Sequence, residues 1–155
     1  MTEAPAKRWR LLLYSDPKVG KTTLAETTVG PRLILDAEGG TSWMATETIE
    51  WDPRNPPPTG LGPDVSVVAH VTSWDQVEMA NSWLQKGDHE FRSVVLDSLT
   101  EIQKVCKLAI TQDGFKIQDW GTLYDKMDPV LREIRDLTSH PTNPLWQVVI
   151  TALAK

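Results

Sequence analysis

A Gly-Lys-Thr triplet at residues 20–22 stands between an apolar run and a segment suited to a helix. The run is Leu11–Tyr14, and Thr23–Glu26 follows the triplet. In a tight loop between a strand and a helix, backbone N–H groups surround a polyphosphate while the helix presents its positive end. Lys21 adds a full charge, and Thr22 is placed to bind Mg²⁺. The pattern predicts a nucleotide-binding phosphate loop made of Ser15, Asp16, Pro17, Lys18, Val19, Gly20, Lys21, Thr22 and Thr23.

One position departs from the usual loop pattern, which opens with glycine where this chain has Ser15. A side chain there restricts the backbone, but later N–H groups make most phosphate contacts, so the prediction depends on Gly20, Lys21 and Thr22. Lys18 has two interpretations: a contact to the γ-phosphate or a neighbouring subunit, or a solvated surface residue. The alternative for the whole segment is an ordinary strand, turn and helix without a ligand.

Length and composition predict a single domain over residues 1–155, since 155 residues with 40% apolar content suffice for one core. No run approaches the ~20 apolar residues of a membrane span, and the N-terminus has no apolar signal segment, so we expect no membrane partner and a cytoplasmic location. The single cysteine, Cys106, excludes an internal disulfide and is typical of a small buried residue rather than a reactive one. A net charge of −5 argues against a generally basic nucleic-acid surface but leaves room for a local basic strip.

Apolar runs alternate with helical patterns along the chain, which predicts a parallel sheet covered by helices. The predicted strands are Arg10–Tyr14, Arg32–Asp36, Val65–Val71, Ser93–Asp97 and Trp146–Ala152. The predicted helices are Lys21–Thr28, Trp74–Lys86, Leu99–Thr111 and Asp119–Thr138. Ser73 with Gln76 forms a capping-box pattern before the second helix, and Gly87 follows it as a stop signal. The proline-rich stretch 51–60 is predicted to be an exposed irregular loop.

Acidic residues follow two of the predicted strands. Asp97 ends the run Val94–Leu96, where a carboxylate can hold a Mg²⁺ shell; the alternative is a helix cap, a role that Ser98 fills equally well. Hydrolysis also needs a carboxylate to activate water. Asp36 ends a strand and Glu38 lies in the turn after it, so Glu38 is the candidate base. The alternative is that both acids merely cap the turn.

Three motifs together resemble the RecA-type P-loop ATPase core: the Gly-Lys-Thr loop, the Asp-Ala-Glu turn at residues 36–38, and the strand end Val-Val-Leu-Asp-Ser at residues 94–98. More closely, they resemble small bacteriophage RecA-like nucleotide-binding proteins, some of which are single-strand annealing recombinases. The resemblance implies an α/β P-loop NTPase fold, a RecA-like three-layer αβα sandwich around a mostly parallel sheet of about five strands. It also implies ATP and Mg²⁺ as ligands, Lys21 and Thr22 on phosphate and Mg²⁺, Asp97 as the Walker B carboxylate and Glu38 as catalytic base. The last strand is expected between the loop strand and the Asp97 strand.

The resemblance carries expectations about assembly and partners. Relatives build active sites between subunits, which implies a homo-oligomeric ring or filament, and act with single-stranded DNA and phage recombination or replication proteins in the bacterial host cytoplasm. Relatives place a polar phosphate sensor after the last strand, where this chain has Leu153 and Ala154. Relatives also continue beyond that strand. The chain is therefore either a minimal form of the domain or one without the C-terminal elements found in relatives.

A DNA-binding segment is expected after the helix that follows Asp97. The matching segment is Asp113–Trp120, in which Phe115 and Lys116 combine an aromatic ring with a positive charge. Under the alternative interpretation, Phe115 and Trp120 dock the loop onto the core.

Two other functions compete with a DNA-dependent ATPase. A small-molecule P-loop kinase would use Arg132 and Arg135 as lid arginines, although their helical spacing is typical of a solvated face. A nucleotide-gated interaction module with little turnover would suit Ser15 and the missing polar sensor. The sequence favours an ATP-binding, Mg²⁺-dependent ATPase acting in phage DNA recombination or annealing.

Overall fold

Six parallel strands form one sheet in the part of the chain that the computed structural model describes, residues 8–16, 26–39, 44 and 46–153. Branched apolar side chains fill these strands, as expected where both faces of a sheet are covered. The order across the sheet is β1-β6-β5-β2-β4-β3. The strands are β1 Trp9–Ser15, β2 Arg32–Asp36, β3 Thr48–Glu50, β4 Ser66–His70, β5 Ser93–Asp97 and β6 Gln147–Leu153.

The sheet order confirms the prediction for the last strand, since β6 lies between β1 and β5. Leu12 pairs with Ile150 on one side of β6, and Val95 pairs with Val149 on the other. All strand pairs are parallel, so every strand ends at the same edge, the carboxyl edge. Residues that follow different strands therefore meet there.

Three helices are described: α1 Trp74–Lys86, α2 Leu99–Ile110 and α3 Asp119–Arg135, followed by a 3-10 turn over Asp136–Ser139. The predicted signals of α1 are confirmed: Gln76 Oε1 accepts the N–H of Ser73 at 3.0 Å, and Gly87 ends the helix with φ of 80°. That left-handed conformation is open to glycine at little cost. Ser98 caps α2, because its Oγ accepts the N–H of Glu101 at 3.3 Å.

The main core lies between the sheet and these helices. Strand residues such as Leu35 and Leu96 pack there with buried residues of all three helices, including Val77, Ile102 and Ile134. Alternate strand residues point to the opposite face, where Ile34, Val95 and Val149 form a smaller cluster with Leu13 and Met44. The described helices therefore make one layer over one face of the sheet.

Some details differ from the sequence-based expectations. The edge strand β3 was not predicted, because three residues with alternating exposure give too short a pattern. The predicted helix Lys21–Thr28 does not extend through Glu26–Thr28, which forms a turn, and its residues 21–25 lie outside the described ranges. The third layer of the predicted sandwich depends on that segment and stays a prediction.

The proline-rich loop after β3 is more deeply packed than predicted. Trp51, Pro53 and Pro57 are buried. Trp51 Nε1 donates to the carbonyl oxygens of Asn55 and Pro56 at 3.0 and 3.1 Å, and Trp83 Nε1 donates to Pro53 O at 3.0 Å. Two indole N–H groups thus bind carbonyl oxygens of this segment, whose prolines have no backbone N–H to donate in hydrogen bonds of their own.

Candidate functional site

The carboxyl edge of the sheet gathers the acidic residues predicted from the sequence. Register pairs Asp36 with His70 on one side and with Asp97 on the other. Ser15 ends β1 at the same edge, beside Leu153 of β6. Ligands of parallel α/β sheets bind outside this edge, so the topology brings the end of β1 and the acidic residues to one place.

The described chain covers only the start of the predicted phosphate loop. Ser15 is the last residue of β1 and Asp16 follows it as an exposed residue. The remaining loop residues predicted from the sequence, Pro17, Lys18, Val19, Gly20, Lys21, Thr22 and Thr23, lie outside the described ranges.

Asp97 is buried at the end of β5, and β6 supplies a donor for it. The hydroxyl of Thr151, itself buried, lies 2.8 Å from Asp97 Oδ1 and 3.2 Å from the carbonyl oxygen of Leu96. A buried carboxylate needs such partners, because loss of hydration is costly. Asp97 is therefore oriented by the neighbouring strand.

Glu38 lies in the turn after β2, with its side chain exposed. Its Oε1 accepts a hydrogen bond from the hydroxyl of Ser98, the residue after Asp97. The backbone of the same turn is tied to β5, because Ala37 N donates to Asp97 O at 2.7 Å. The structure thus brings Glu38 and Asp97 together, and their roles at a nucleotide stay predictions. The peptide bond between Asp97 and Ser98 is cis.

The donor set fits Mg²⁺ bound with a nucleotide. Such ions use one or two carboxylates and complete their shell with phosphate oxygens and water. Asp97 supplies one buried carboxylate, and the described ranges hold no cluster of three or more His, Cys, Asp or Glu side chains suited to a metal. Asp97 is thus a carboxylate of the kind that such an ion uses beside its phosphate and water ligands.

The two DNA-binding candidates have different surroundings. The Phe115 ring packs edge-on against Trp120 at 4.9 Å between centroids, and the Lys107 ammonium lies 4.9 and 4.5 Å from the Phe115 and Trp120 rings. Phe115 thus helps to dock the loop. Lys116 is exposed, and its backbone N–H donates to Asp119 Oδ2 at 2.8 Å.

The residues of the kinase alternative are paired with acids on the surface of α3. Arg132 Nε donates to Asp128 Oδ2 at 2.8 Å, and Arg135 Nε donates to Asp136 Oδ1 at 2.8 Å. These hydrogen bonds raise the pKa of both guanidinium groups. The pairs are typical of the solvated helix face predicted from the sequence.

Cys106 lies on the buried face of α2, within the core, as predicted from its helical pattern. Burial raises the pKa of its thiol to about 11, so the reactive thiolate is scarce at neutral pH.

Sequence reasoning missed two hydroxyl groups of the site. Ser98 was considered only as a helix cap, yet it also donates to Glu38. Thr151 was placed within an apolar strand without a role, yet it reaches Asp97. The available signal was a polar residue inside a buried strand, which needs a partner and points to a neighbour across the sheet.

Comparison with known proteins agrees with this geometry. The profile of a family described as AAA domain matches residues 7–155. The chain belongs to the AAA domain family. It is an AAA-type P-loop ATPase domain, and the family implies nucleotide binding, typically with Mg²⁺. No protein in the curated set matches the chain.

Among solved structures, the chain is similar to a prototypical ATPase from the type III secretion system of pathogenic bacteria, with a TM-score of 0.52 and 12% sequence identity. The match covers 94% of this chain and 44% of that one, so this chain spans less than half the length of the secretion ATPase. At this identity the likeness supports the α/β fold alone. None of the helices in the described ranges is long and apolar enough to cross a membrane.

Proposed function

We propose that residues 1–155 form a single RecA-like core that binds ATP and hydrolyses it to ADP and phosphate with Mg²⁺. One observation carries this proposal. Asp97 ends β5 and Glu38 follows the adjacent strand β2; the two are linked through Ser98 and lie at the edge where β1 also ends. A carboxylate near the metal and a second carboxylate near the water are what phosphoryl hydrolysis requires.

Each residue has a distinct role in this proposal. The backbone from Ser15 to Thr23 would surround the phosphates, and Lys21 would neutralise charge on them. Thr22 and Asp97 would hold Mg²⁺, which supplies electrostatic stabilisation of the transferred phosphoryl group. Thr151 keeps the Asp97 carboxylate in place. Glu38 is exposed to water and would accept a proton from the attacking molecule.

The biological role that we propose is DNA recombination or single-strand annealing in a bacteriophage, within the host cytoplasm. The support is the sequence resemblance, together with an exposed Lys116 beside an aromatic pair after α2. Single-stranded DNA would contact this segment, and several subunits would assemble into a ring or filament with phage recombination or replication proteins.

A nucleotide-gated interaction module with little turnover is the second candidate. Leu153 ends β6 where relatives are expected to carry a polar phosphate sensor, and its N–H donates to Thr100 Oγ1 at 3.0 Å. An apolar residue at this place cannot report the γ-phosphate through a side-chain hydrogen bond. With Ser15 opening the loop, this observation favours binding over rapid turnover.

ATP hydrolysis with and without single-stranded DNA tests the role. We expect DNA to stimulate the wild-type rate and Lys116→Ala to lose most of the stimulation, while Lys86→Ala, a surface lysine on α1, keeps it. If DNA does not change the rate of ATP hydrolysis while Mg·ATP binds tightly, the interaction module would be the better account than the recombinase. Transfer of phosphate to a nucleoside or nucleotide would instead show a kinase.

A further inference from the structure

Asp36 closes the turn that carries Glu38. Its side chain is fully buried at the end of β2. Asp36 Oδ1 accepts the backbone N–H of Glu38 at 3.1 Å and that of Gly39 at 2.8 Å. Gly39 has φ of 81°, a left-handed conformation that other residues adopt only at a cost. One buried carboxylate oxygen therefore fixes the backbone on both sides of the Glu38 Cα.

His70 supports Asp36 from the side opposite to Asp97. Its Nδ1 lies 3.6 Å from Asp36 Oδ2, and its Nε2 lies 3.3 Å from Glu50 Oε1. The Glu50 side chain is 83% exposed, so this outer pair adds little. The inner contact matters more, because the Asp36 side chain is buried and a contact there is screened less by solvent.

The Glu38 carboxylate depends on this turn for its position. Its side chain is exposed and accepts a hydrogen bond from Ser98. Its N–H is shared between Asp36 Oδ1 at 3.1 Å and Asp97 O at 3.3 Å. Misplacement of a reacting group by about 1 Å can cost roughly 100-fold in rate, so a loosened turn would impair water activation.

We propose that Asp36, supported by His70, is a positioning residue for Glu38. This inference rests on the proposed function, in which Glu38 activates the attacking water. Asp36 is buried and acts through the turn, so its loss should reduce turnover without weakening nucleotide binding.

Paired substitutions test the inference. Asp36→Asn retains an oxygen that accepts the two N–H groups, whereas Asp36→Ala does not. We expect Asp36→Ala to lower kcat by about 10- to 100-fold with KM for ATP within about 3-fold, Asp36→Asn to retain most of kcat, and His70→Ala to show a smaller loss. Asp52→Ala is the matched control, because Asp52 Oδ1 makes the same kind of turn bond with Arg54 N at 3.0 Å in the loop after β3.

Amide hydrogen exchange reads the turn independently of turnover. Faster exchange at the Glu38 and Gly39 amides in Asp36→Ala, but not in Asp36→Asn or Asp52→Ala, supports the role of Asp36 in fixing the turn. If the turn loosens in this way but the wild type hydrolyses no ATP, it is the proposed function that fails. Unchanged exchange in a folded Asp36→Ala overturns the inference. So does faster exchange with normal kcat in Asp36→Ala while Glu38→Gln is inactive, because Glu38 then works without the fixed turn. If Asp36→Ala does not fold, the Asp36→Asn variant decides. Normal amide exchange at Glu38 and Gly39 in Asp36→Asn, together with a kcat as low as that of Glu38→Gln, would also overturn the inference.

Discussion

The Asp97 carboxylate shows how one buried residue depends on a strand distant in sequence. Thr151 contacts it because β6 lies beside β5 in parallel register. A hydroxyl at this depth has no bulk water to bond, so its proton goes to Asp97 or to the carbonyl of Leu96. The pair thus links the proposed metal ligand to the centre of the sheet.

We predict that Thr151→Val weakens Mg²⁺-dependent ATP turnover by about 10-fold or more, because losing the partner of a metal ligand typically costs 10- to 100-fold. Thr151→Ser keeps the hydroxyl and should stay close to the wild type. Titration of the ATPase rate with Mg²⁺ makes the comparison. Equal Mg²⁺ dependence in the Val and Ser variants would show that the hydroxyl does not serve the metal site.

His89 gives the chain a pH-dependent stability. Burial first, and the nearby His140 second, lower the pKa of His89 to about 4. As the pH falls below 6.5, the ordinary pKa of histidine, His89 binds a proton in the unfolded chain, whereas in the folded chain it does so only near pH 4. The free energy of unfolding should therefore fall as pH falls through this window, by about 2 kcal/mol between pH 7 and pH 5.

Urea unfolding at pH 7 and pH 5 checks this prediction. His89→Asn offers an oxygen to the Phe91 N–H that His89 Nδ1 accepts at 3.0 Å, and it removes the titrating group. We expect the variant to lose about 2 kcal/mol less than the wild type on acidification. An identical pH dependence in both proteins would contradict the assignment to His89.

At the scale of elements, the strand and helix pattern was largely readable from the sequence. β2, β5 and α1 have the predicted bounds, because continuous apolar runs and a cap at each helix end mark them. The 3-10 turn after α3 and the short β3 were not resolved by such patterns. The Ser98–Glu38 and Thr151–Asp97 contacts were not predictable either, because they depend on register between strands far apart in sequence.

Arg32 ties β2 to β4 at the amino edge of the sheet. The side chain is 1% exposed, and its guanidinium donates to Thr28 O at 2.9 Å and to Ser66 Oγ at 2.7 Å. It also donates to Asp64 Oδ1 at 3.1 Å. The sequence placed Arg32 at the start of a strand but gave no sign of this network.

We expect Arg32→Met to lower the free energy of unfolding by about 2–4 kcal/mol, because buried acceptors lose their donor. Arg54→Met removes an exposed arginine whose pair with Asp52 spans 3.6 Å, and should change stability by about 0–1 kcal/mol. Chemical denaturation of both variants beside the wild type gives the comparison. An equal, small effect would show that the Arg32 network contributes little.

At the scale of the whole molecule, the amino edge and the carboxyl edge of the sheet carry different sets of polar residues. The amino edge carries the Arg32 network, while the carboxyl edge carries Asp36, Glu38 and Asp97. A rigid parallel sheet sets these acids at fixed spacings, so residues remote in sequence can act on one ligand. Family membership and this geometry are the basis for our proposal of an ATPase centre at the carboxyl edge.

Mg·ATP affinity and single-turnover hydrolysis, measured together on the wild type, Lys21→Ala and Glu38→Gln, test this centre most directly. We expect Glu38→Gln to bind Mg·ATP within about 3-fold of the wild type and to hydrolyse it at least about 100-fold more slowly, and Lys21→Ala to lose binding. Wild-type hydrolysis by Glu38→Gln, or unchanged binding by Lys21→Ala, would contradict the proposed ATPase centre.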